Sequence, residues 1–463
     1  MPDASLPALR KNQTVELEVA GFGLDAVGVC RYGKSGMAVF VPGALPGERI
    51  RARIVKPGKR FAFARLEAVD SVSPDRVAPP CPVYRRCGGC VAQHMSYARS
   101  LEFKRGQVRD CLRRIGGEGF RTLDVPPVLG MEEPWHFRNK GSFPVSGKPG
   151  GPVIGFFAPR SHEVVDAQAG CLVQHPAANA AVAAVRAWME EHLIAPYDEA
   201  AHAGELRHIV TRTARDGSTM VTLVSREPSL PAEDRLADRL RGAVPGLASV
   251  MVCHNPSRTN VVLNGPVRPL WGAEYMEDTL CGLRFRIAPH SFLQVNHVQA
   301  EALYARVLEY AALSGAETVV DAYCGAGTIS LPLARRARRV IGIESVPQAV
   351  DDARFNAARN GIANAEFVPD LAERALPALA AGGLAPDAVV VDPPRKGCDP
   401  ATLEAIAQAS PSRVVYVSCN PATLARDAAV LTNAGYRAAA VQPVDMFCWA
   451  GDVETVMLLV KNT

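Results

Sequence analysis

Val319-Val320-Asp321-Ala322-Tyr323-Cys324-Gly325-Ala326-Gly327-Thr328 is an apolar run that ends on an acid and gives way to a glycine turn. Three later runs share the pattern: Val340–Glu344, Ala388–Asp392 and Val414–Ser418, with chain enough between them for helices. Strands covered on both faces lose the polar alternation of a half-exposed sheet, so this pattern predicts a parallel sheet with helices on either side. The C-terminal third is therefore expected to be a doubly wound, Rossmann-like α/β domain.

Ligands of such sheets sit outside the carboxyl ends of the strands, which makes the strand ends the places to look for chemistry. Glu344 follows Asp321 by 23 positions, a spacing that suits an acid on a ribose, and glycines let the backbone approach a ligand. Only Gly325-x-Gly327 is present, without the third glycine of a pyrophosphate cradle, so a ligand with ribose but no pyrophosphate fits better. S-adenosylmethionine is such a ligand; a plain βα turn is the other reading. Two later strand ends carry Asp392-Pro393-Pro394-Arg395 and Ser418-Cys419-Asn420-Pro421. The prolines stiffen the turn that holds Asp392. Cys419 is a candidate nucleophile if its surroundings lower its proton affinity, and otherwise an inert buried thiol. Glu454, beside aromatic residues at the start of the run Val456–Val460, is the candidate general base.

Upstream, Gln13–Val72 alternates short β-rich runs with Gly and Pro turns, which predicts a small antiparallel barrel. Within it Arg49, Arg51, Arg53, Lys56, Lys59, Arg60 and Arg65 face a single acid, Glu67, and are interleaved with Phe61 and Phe63. Such a stripe either holds phosphates or is a solvated sheet face. A helix is expected after Ser100, stopped by Gly116-Gly117 and carrying Lys104, Arg105, Arg109, Arg113 and Arg114 on its polar face. Val125 to about Pro289 mixes strand-like runs with the Ala-rich helix Ala177–His192, a mixed α+β central region. Cys81-x5-Cys87-x2-Cys90, with Cys171 much later, supplies four thiols, enough for zinc or an iron–sulfur cluster, and the five-residue gap favours the cluster. The other cysteines read as core.

The totals bound the rest. In 463 residues, 48% apolar and 21% charged, there is ample core for several domains, which excludes a disulfide knot, a coiled coil and a disordered chain. A formal charge of +4 does not by itself announce a nucleic-acid binder. Met1–Gln13 holds no signal-like apolar run and no stretch reaches membrane-span length, so a cytoplasmic protein with no membrane partner is expected.

Taken together, Ser-Cys-Asn-Pro at Cys419, Asp-Pro-Pro-Arg at Asp392, Phe292-Leu293-Gln294-Val295-Asn296, and Asp445-Met446-Phe447 followed by Val453-Glu454 resemble the RumA type of RNA uracil-5-methyltransferases over nearly the whole chain. The resemblance implies Cys419 as nucleophile, Glu454 as the base that takes the ring proton, and Gln294, Tyr323, Thr328, Glu344, Asp370 and Asp392 around S-adenosylmethionine and the target base. It implies a 4Fe-4S cluster on Cys81, Cys87, Cys90 and Cys171, and likens the Val41–Glu48 region to a TRAM domain, an RNA-binding barrel. Domains are expected at 8–70 (barrel), 75–290 (central, with the cluster) and 291–463 (methyltransferase). Arg138-Asn139-Lys140 also matches a segment of the family. The expected substrate is a uridine of 23S rRNA, with a tRNA uridine or a non-catalytic RNA-binding assembly role as alternatives, and a monomer is expected. Cys448-Trp449-Ala450 and Asp452 depart from the family's usual Pro-His-Thr and His.

Overall fold

The computed structural model describes residues 9–33 and 36–462; the expected barrel start at residue 8 lies outside them. Two compact units divide the chain: residues 1–107 with Trp449–Asp452, and Val108–Cys448 with Val453–Thr463.

The first unit is built on a closed barrel of β1 (Thr14–Phe22), β2 (Gly28–Tyr32), β3 (Met37–Val41), β4 (Arg49–Lys56) and β5 (Phe61–Ser71), in the order β1-β2-β3-β5-β4. Strict alternation along β4 sends Ile50, Ala52 and Ile54 inward and leaves Arg49, Arg51 and Arg53 outside, the period-2 pattern of a one-sided strand. The turn before β4 closes around buried Glu48, whose carboxylate receives Arg76 Nε at 2.5 Å and Nη2 at 2.7 Å and the Leu45 N–H at 2.8 Å. Burial would push Glu48 up, but these donors overcome it and hold the group below its usual range. Within the same unit, Trp449 O accepts the N–H groups of Val91 and Ala92. Helix α1 runs Tyr97–Ile115, beginning four residues earlier than its apolar spacing suggests; the Arg99 N–H bonded to Ser96 Oγ at 3.2 Å accounts for the early start.

In the second unit a seven-stranded sheet comprises β6 (Lys140–Lys148), β7 (Gly151–Phe157), β8 (Val164–Asp166), β9 (Leu206–Thr213), β10 (Thr219–Ser225), β11 (Leu247–His254) and β12 (Val267–Gly272), in the order β12-β11-β10-β9-β6-β7-β8. Helices α2 (Pro176–Glu191) and α3 (Glu233–Ala243) pack their Ala, Leu and Trp188 face against it. A hairpin, β13 (Met276–Leu280) and β14 (Leu283–Ile287), leads to α4 (His297–Ala311).

The predicted doubly wound sheet follows. Its elements are β15 (Thr318–Ala322), α5 (Ser330–Ala334), β16 (Arg339–Glu344), α6 (Pro347–Arg359), β17 (Ala365–Pro369), α7 (Ala372–Ala381), β18 (Ala388–Val391), α8 (Pro400–Ala409), β19 (Arg413–Ser418), α9 (Pro421–Asn433), β20 (Tyr436–Val444) and β21 (Glu454–Lys461). The order is β17-β16-β15-β18-β19-β21-β20, parallel through β19, with β21 antiparallel to β19 and to β20. Apolar cores lie on both faces of this sheet. The strand order reverses between β15 and β18, so the connections leaving them part to opposite sides and open a crevice at their carboxyl ends.

Candidate active site

The first glycine turn is held to the neighbouring strand: the N–H groups of Tyr323 and Cys324 both reach Ile343 O at 2.9 Å. Tyr323 takes φ +86, which a non-glycine residue adopts only when its surroundings over-determine it. Gly325 and Gly327 also take positive φ, and Gly325 leaves open space where a Cβ would stand. Glu344, at the end of β16, accepts the Gly325 N–H at 3.1 Å with one oxygen and the Val346 N–H at 2.7 Å with the other.

Behind this turn lies an acid that the sequence reading used only as a spacing mark. Asp321 is fully buried; Ser330 Oγ donates to one oxygen at 2.5 Å and the other has no partner. Burial pushes Asp321 up to about 7, against Ser330 and with the help of Asp392 and Glu344. Burial likewise pushes Asp392 up to about 6. Three acids therefore converge on one crevice, and an orphaned carboxylate oxygen there favours a positively charged ligand. S-adenosylmethionine, which carries a sulfonium and an ammonium, fits that demand.

The remaining residues expected around the cofactor are distributed as follows. Thr328 shares its hydroxyl with that of buried Tyr304 at 3.1 Å. Asp370, just beyond β17, commits one oxygen to the Leu371 N–H at 2.8 Å and to Arg374, and these two donors hold it below the usual carboxylate range. Gln294 is buried, its carbonyl oxygen accepting from Asn139 Nδ2 at 3.0 Å, while Phe292 two residues earlier is 67% exposed.

Cys419 is half-buried at the bend between β19 and α9. The local fold follows from Asn420 and Pro421. Pro421 fits the first helical position, and Asn420 caps α9 by accepting the Ala422 N–H at 3.1 Å. Cys419 is thereby set at the positive end of a helix dipole, which favours a thiolate. Burial nonetheless pushes the thiol up to about 11, Glu454 and Asp392 adding to this and Arg395 opposing it. The two carboxylates and Arg395 thus all bear on the thiol. Glu454 is 4% exposed at the first position of β21, directly across from Val444.

Arg395 was quoted from the sequence without a role, yet its segment is tied to α9 at several points. Its carbonyl oxygen accepts from Asn420 Nδ2 at 3.2 Å and Thr423 Oγ1 at 3.3 Å, and Lys396 O accepts from Arg426 Nη2 at 2.9 Å. Buried Asp427 receives the Cys398 N–H at 2.8 Å and the Tyr416 hydroxyl at 2.6 Å. Arg395 and Asn420 stand in the two quoted motifs, but Thr423, Arg426 and Asp427 do not, so only the folded chain reveals the latch.

In the first unit Cys81, Cys87 and Cys90 share one loop, each half-buried; Cys171 lies in the second unit, its N–H donating to Asn179 Oδ1 at 2.9 Å. The Gly89 N–H donates to Cys87 Sγ at 3.4 Å, and burial with the nearby Cys81 pushes the Cys87 thiol up. Among the described residues, however, no group of three or more Cys, His, Asp or Glu side chains is disposed to hold a metal ion. On the barrel, Arg53 Nε pairs with Glu67 at 2.5 Å and Arg51 Nε with Asp70 at 3.1 Å, so part of the basic stripe is neutralised. Phe40, Phe61 and Phe63 form an aromatic cluster with ring centroids 5.5–5.9 Å apart. No helix among the described residues is long and apolar enough to cross a membrane.

The sequence model of the tRNA (Uracil-5-)-methyltransferase family matches residues 273–462. An uncharacterized RNA methyltransferase of Halalkalibacterium halodurans is 46% identical over 98% of this chain and 98% of its own length. One from Listeria monocytogenes is 44% identical over 99% of this chain and 100% of its own. Among solved structures, the Pyrococcus abyssi tRNA (uracil-54, C5)-methyltransferase in complex with S-adenosyl-L-homocysteine superposes with a TM-score of 0.78 at 28% identity, covering 96% of this chain and 100% of that one.

Proposed function

Because the chain belongs to the S-adenosylmethionine-dependent RNA uracil-5-methyltransferase family, we propose that it methylates carbon 5 of a uridine in 23S rRNA through a covalent bond between Cys419 and the ring. What supports this reading is the placement of Cys419 one residue past the Ser418–Thr455 pair of β19 and β21, next to Glu454 on β21 and to Asp392 at the end of the adjacent β18, beside a crevice bordered by further acids.

Carbon 5 of uracil is a poor nucleophile because the ring is electron-poor. Addition of the Cys419 sulfur to carbon 6 converts the ring to an enolate with negative character at carbon 5, which splits one hard step into easier ones. When bound, S-adenosylmethionine supplies the methyl group on a positively charged sulfur. Glu454 then removes the remaining proton from carbon 5, the electrons re-form the ring double bond, and the Cys419 sulfur leaves. Arg395 helps the thiolate form, and its guanidinium suits the enolate oxygen. Gln294, Tyr323, Thr328, Glu344, Asp370 and Asp392 shape the crevice for cofactor and base. A stacked base hides both ring carbons, so the target is flipped or single-stranded, and the exposed ring of Phe292 is placed to receive it. Among the described residues Lys56, Lys59 and Arg60 of the barrel carry no ion pair; they adjoin Phe61 and Phe63 along β4 and β5 and suit a single-stranded RNA backbone and its bases.

On the sequence pattern, Cys81, Cys87, Cys90 and Cys171 are assigned to a 4Fe-4S cluster, which when bound would cross-link its cysteines. Quantifying metal after anaerobic purification tests this: about four iron and four sulfide per chain support it, and stoichiometric zinc overturns it. A tRNA uridine is the second reading, favoured by the 28% identical archaeal tRNA enzyme. Labelled-methyl transfer to unmodified 23S rRNA and to tRNA transcripts separates the two. 5-Methyluridine formed by wild type and lost in Cys419→Ala supports the chemistry; full activity of Cys419→Ser would sink it.

A further inference from the structure

The pairing of β6 with β9 contains an arrangement that the reaction above leaves unused. Lys140 and Arg212 are direct cross-strand partners, and like charges placed opposite one another are unfavourable. The charges that bear on Lys140 are those of Arg212 and Arg138, and those that bear on His290 are Arg212 and Lys140; every one is a cation. Neither Lys140 nor Arg212 has a carboxylate partner among the described residues.

Arg212 is 6% exposed and spends its guanidinium on the loop that follows β14, donating to Pro289 O at 3.3 Å and to Ser291 O, while its Nε has no partner. On the same loop, Val295 O accepts the Asn139 N–H at 2.8 Å and Gln294 O accepts Asn139 Nδ2 at 3.0 Å. The cations are thus built against the segment that presents Phe292. Lys140 is half-buried and His290 exposed, so the cluster reaches solvent on that side. Burial and the adjacent arginines push Lys140 down to about 8, and burial with Arg212 and Lys140 lowers His290. An anion placed there would relieve all of these repulsions at once.

We propose that Lys140 and His290, backed by buried Arg212, form a binding site for a phosphodiester group of the RNA strand beside the Phe292 loop. This rests on the reading of RNA as substrate and deepens it, by fixing the strand next to the nucleotide that enters the crevice. Phosphate contacts position a strand without reading its bases, so the site serves any target sequence.

The test compares full-length wild type with Lys140→Gln, His290→Gln and the charge-preserving Lys140→Arg. Binding to a 23S rRNA fragment and to a tRNA transcript is measured across about 50–300 mM KCl, with S-adenosylhomocysteine affinity and methyl transfer recorded separately. Lys140→Gln should weaken RNA binding about tenfold at low salt and flatten the plot of log affinity against log salt by about 0.7 for one lost single-strand contact. Lys140→Arg should restore both, and S-adenosylhomocysteine affinity should stay unchanged. His290 is exposed, so at about pH 5.5, where an imidazole beside a bound phosphate can carry its proton, His290→Gln gives the same slope test should Lys140→Gln fold poorly. An unchanged slope in both glutamine variants overturns the site, as does a loss of S-adenosylhomocysteine affinity, which would assign the cations to the cofactor carboxylate. Absence of methyl transfer by wild type would strike the functional reading alone, since the salt slopes report on the site regardless.

Discussion

Replacing Glu454 by glutamine should make Cys419 ionise more readily even as methyl transfer is lost. The thiol stands at about 11 rather than 9.0 because of burial first and the Glu454 carboxylate second, with Arg395 opposing. At pH 8 a thiol of that value is ionised in about one molecule in a thousand. Glutamine keeps the size of the side chain and removes its charge. A carboxylate within a few ångströms moves a neighbour by about one pH unit, so the thiolate fraction should rise about tenfold. The assay is alkylation by iodoacetamide over about pH 6–11, read on the Cys419 peptide by mass spectrometry so that the other cysteines do not intrude. The wild-type rate should climb tenfold per pH unit to the top of this range, while the variant should bend over about one unit lower; at a fixed pH of about 8 Arg395→Gln should react more slowly than wild type. A Glu454→Gln inflection at or above the wild-type value would refute the reasoning, because the carboxylate would then not face the sulfur as an anion. The RNA substrate is absent from this experiment, so it tests the geometry independently of the reaction.

Asp321 is pushed up to about 7 by burial, so the crevice gains negative charge as pH rises through that value. S-adenosylhomocysteine, which carries an ammonium, should bind more tightly at pH 8 than at pH 6, and Asp321→Asn should flatten that dependence; calorimetry showing pH-independent wild-type binding would contradict it. Gly397→Ala should destabilise by about 1–3 kcal/mol, since Gly397 has φ +83 and an added Cβ would lie 2.4 Å from Arg426 Nη2 and 2.5 Å from Asp427 Oδ2. Denaturant melts would measure this, and an unchanged midpoint would show that the latch on the Arg395 segment yields freely. Tyr416→Phe removes the hydroxyl donated to Asp427 and should cost about 1 kcal/mol by the same measurement.

Much of the catalytic crevice was legible from local pattern. The apolar runs ending at Asp321, Glu344, Asp392 and Ser418 became β15, β16, β18 and β19, because a strand covered on both faces must be apolar along its length whatever its neighbours. The alternation of Arg49, Arg51 and Arg53 with buried Ile50, Ala52 and Ile54 likewise belongs to the strand itself. Not legible was the reach of side chains from distant positions. Arg286 pairs with Asp352 at 2.5 Å, and Ser291 Oγ reaches the same carboxylate at 3.0 Å, which fixes the approach to the Phe292 loop from α6. Arg212 holds that loop from the opposite side across 77 residues of sequence.

Residue types and their spacing were enough to fix the doubly wound sheet, the barrel and the chemistry available at the strand ends, since periodicity, caps and turn residues act over a few positions. Folding alone decided the protonation balance at Cys419, the orphaned oxygen of Asp321 and the unneutralised cations at Lys140 and Arg212. Those properties depend on which charges share a low-dielectric space and how far water is kept from them, and both are set by packing between segments far apart in the chain.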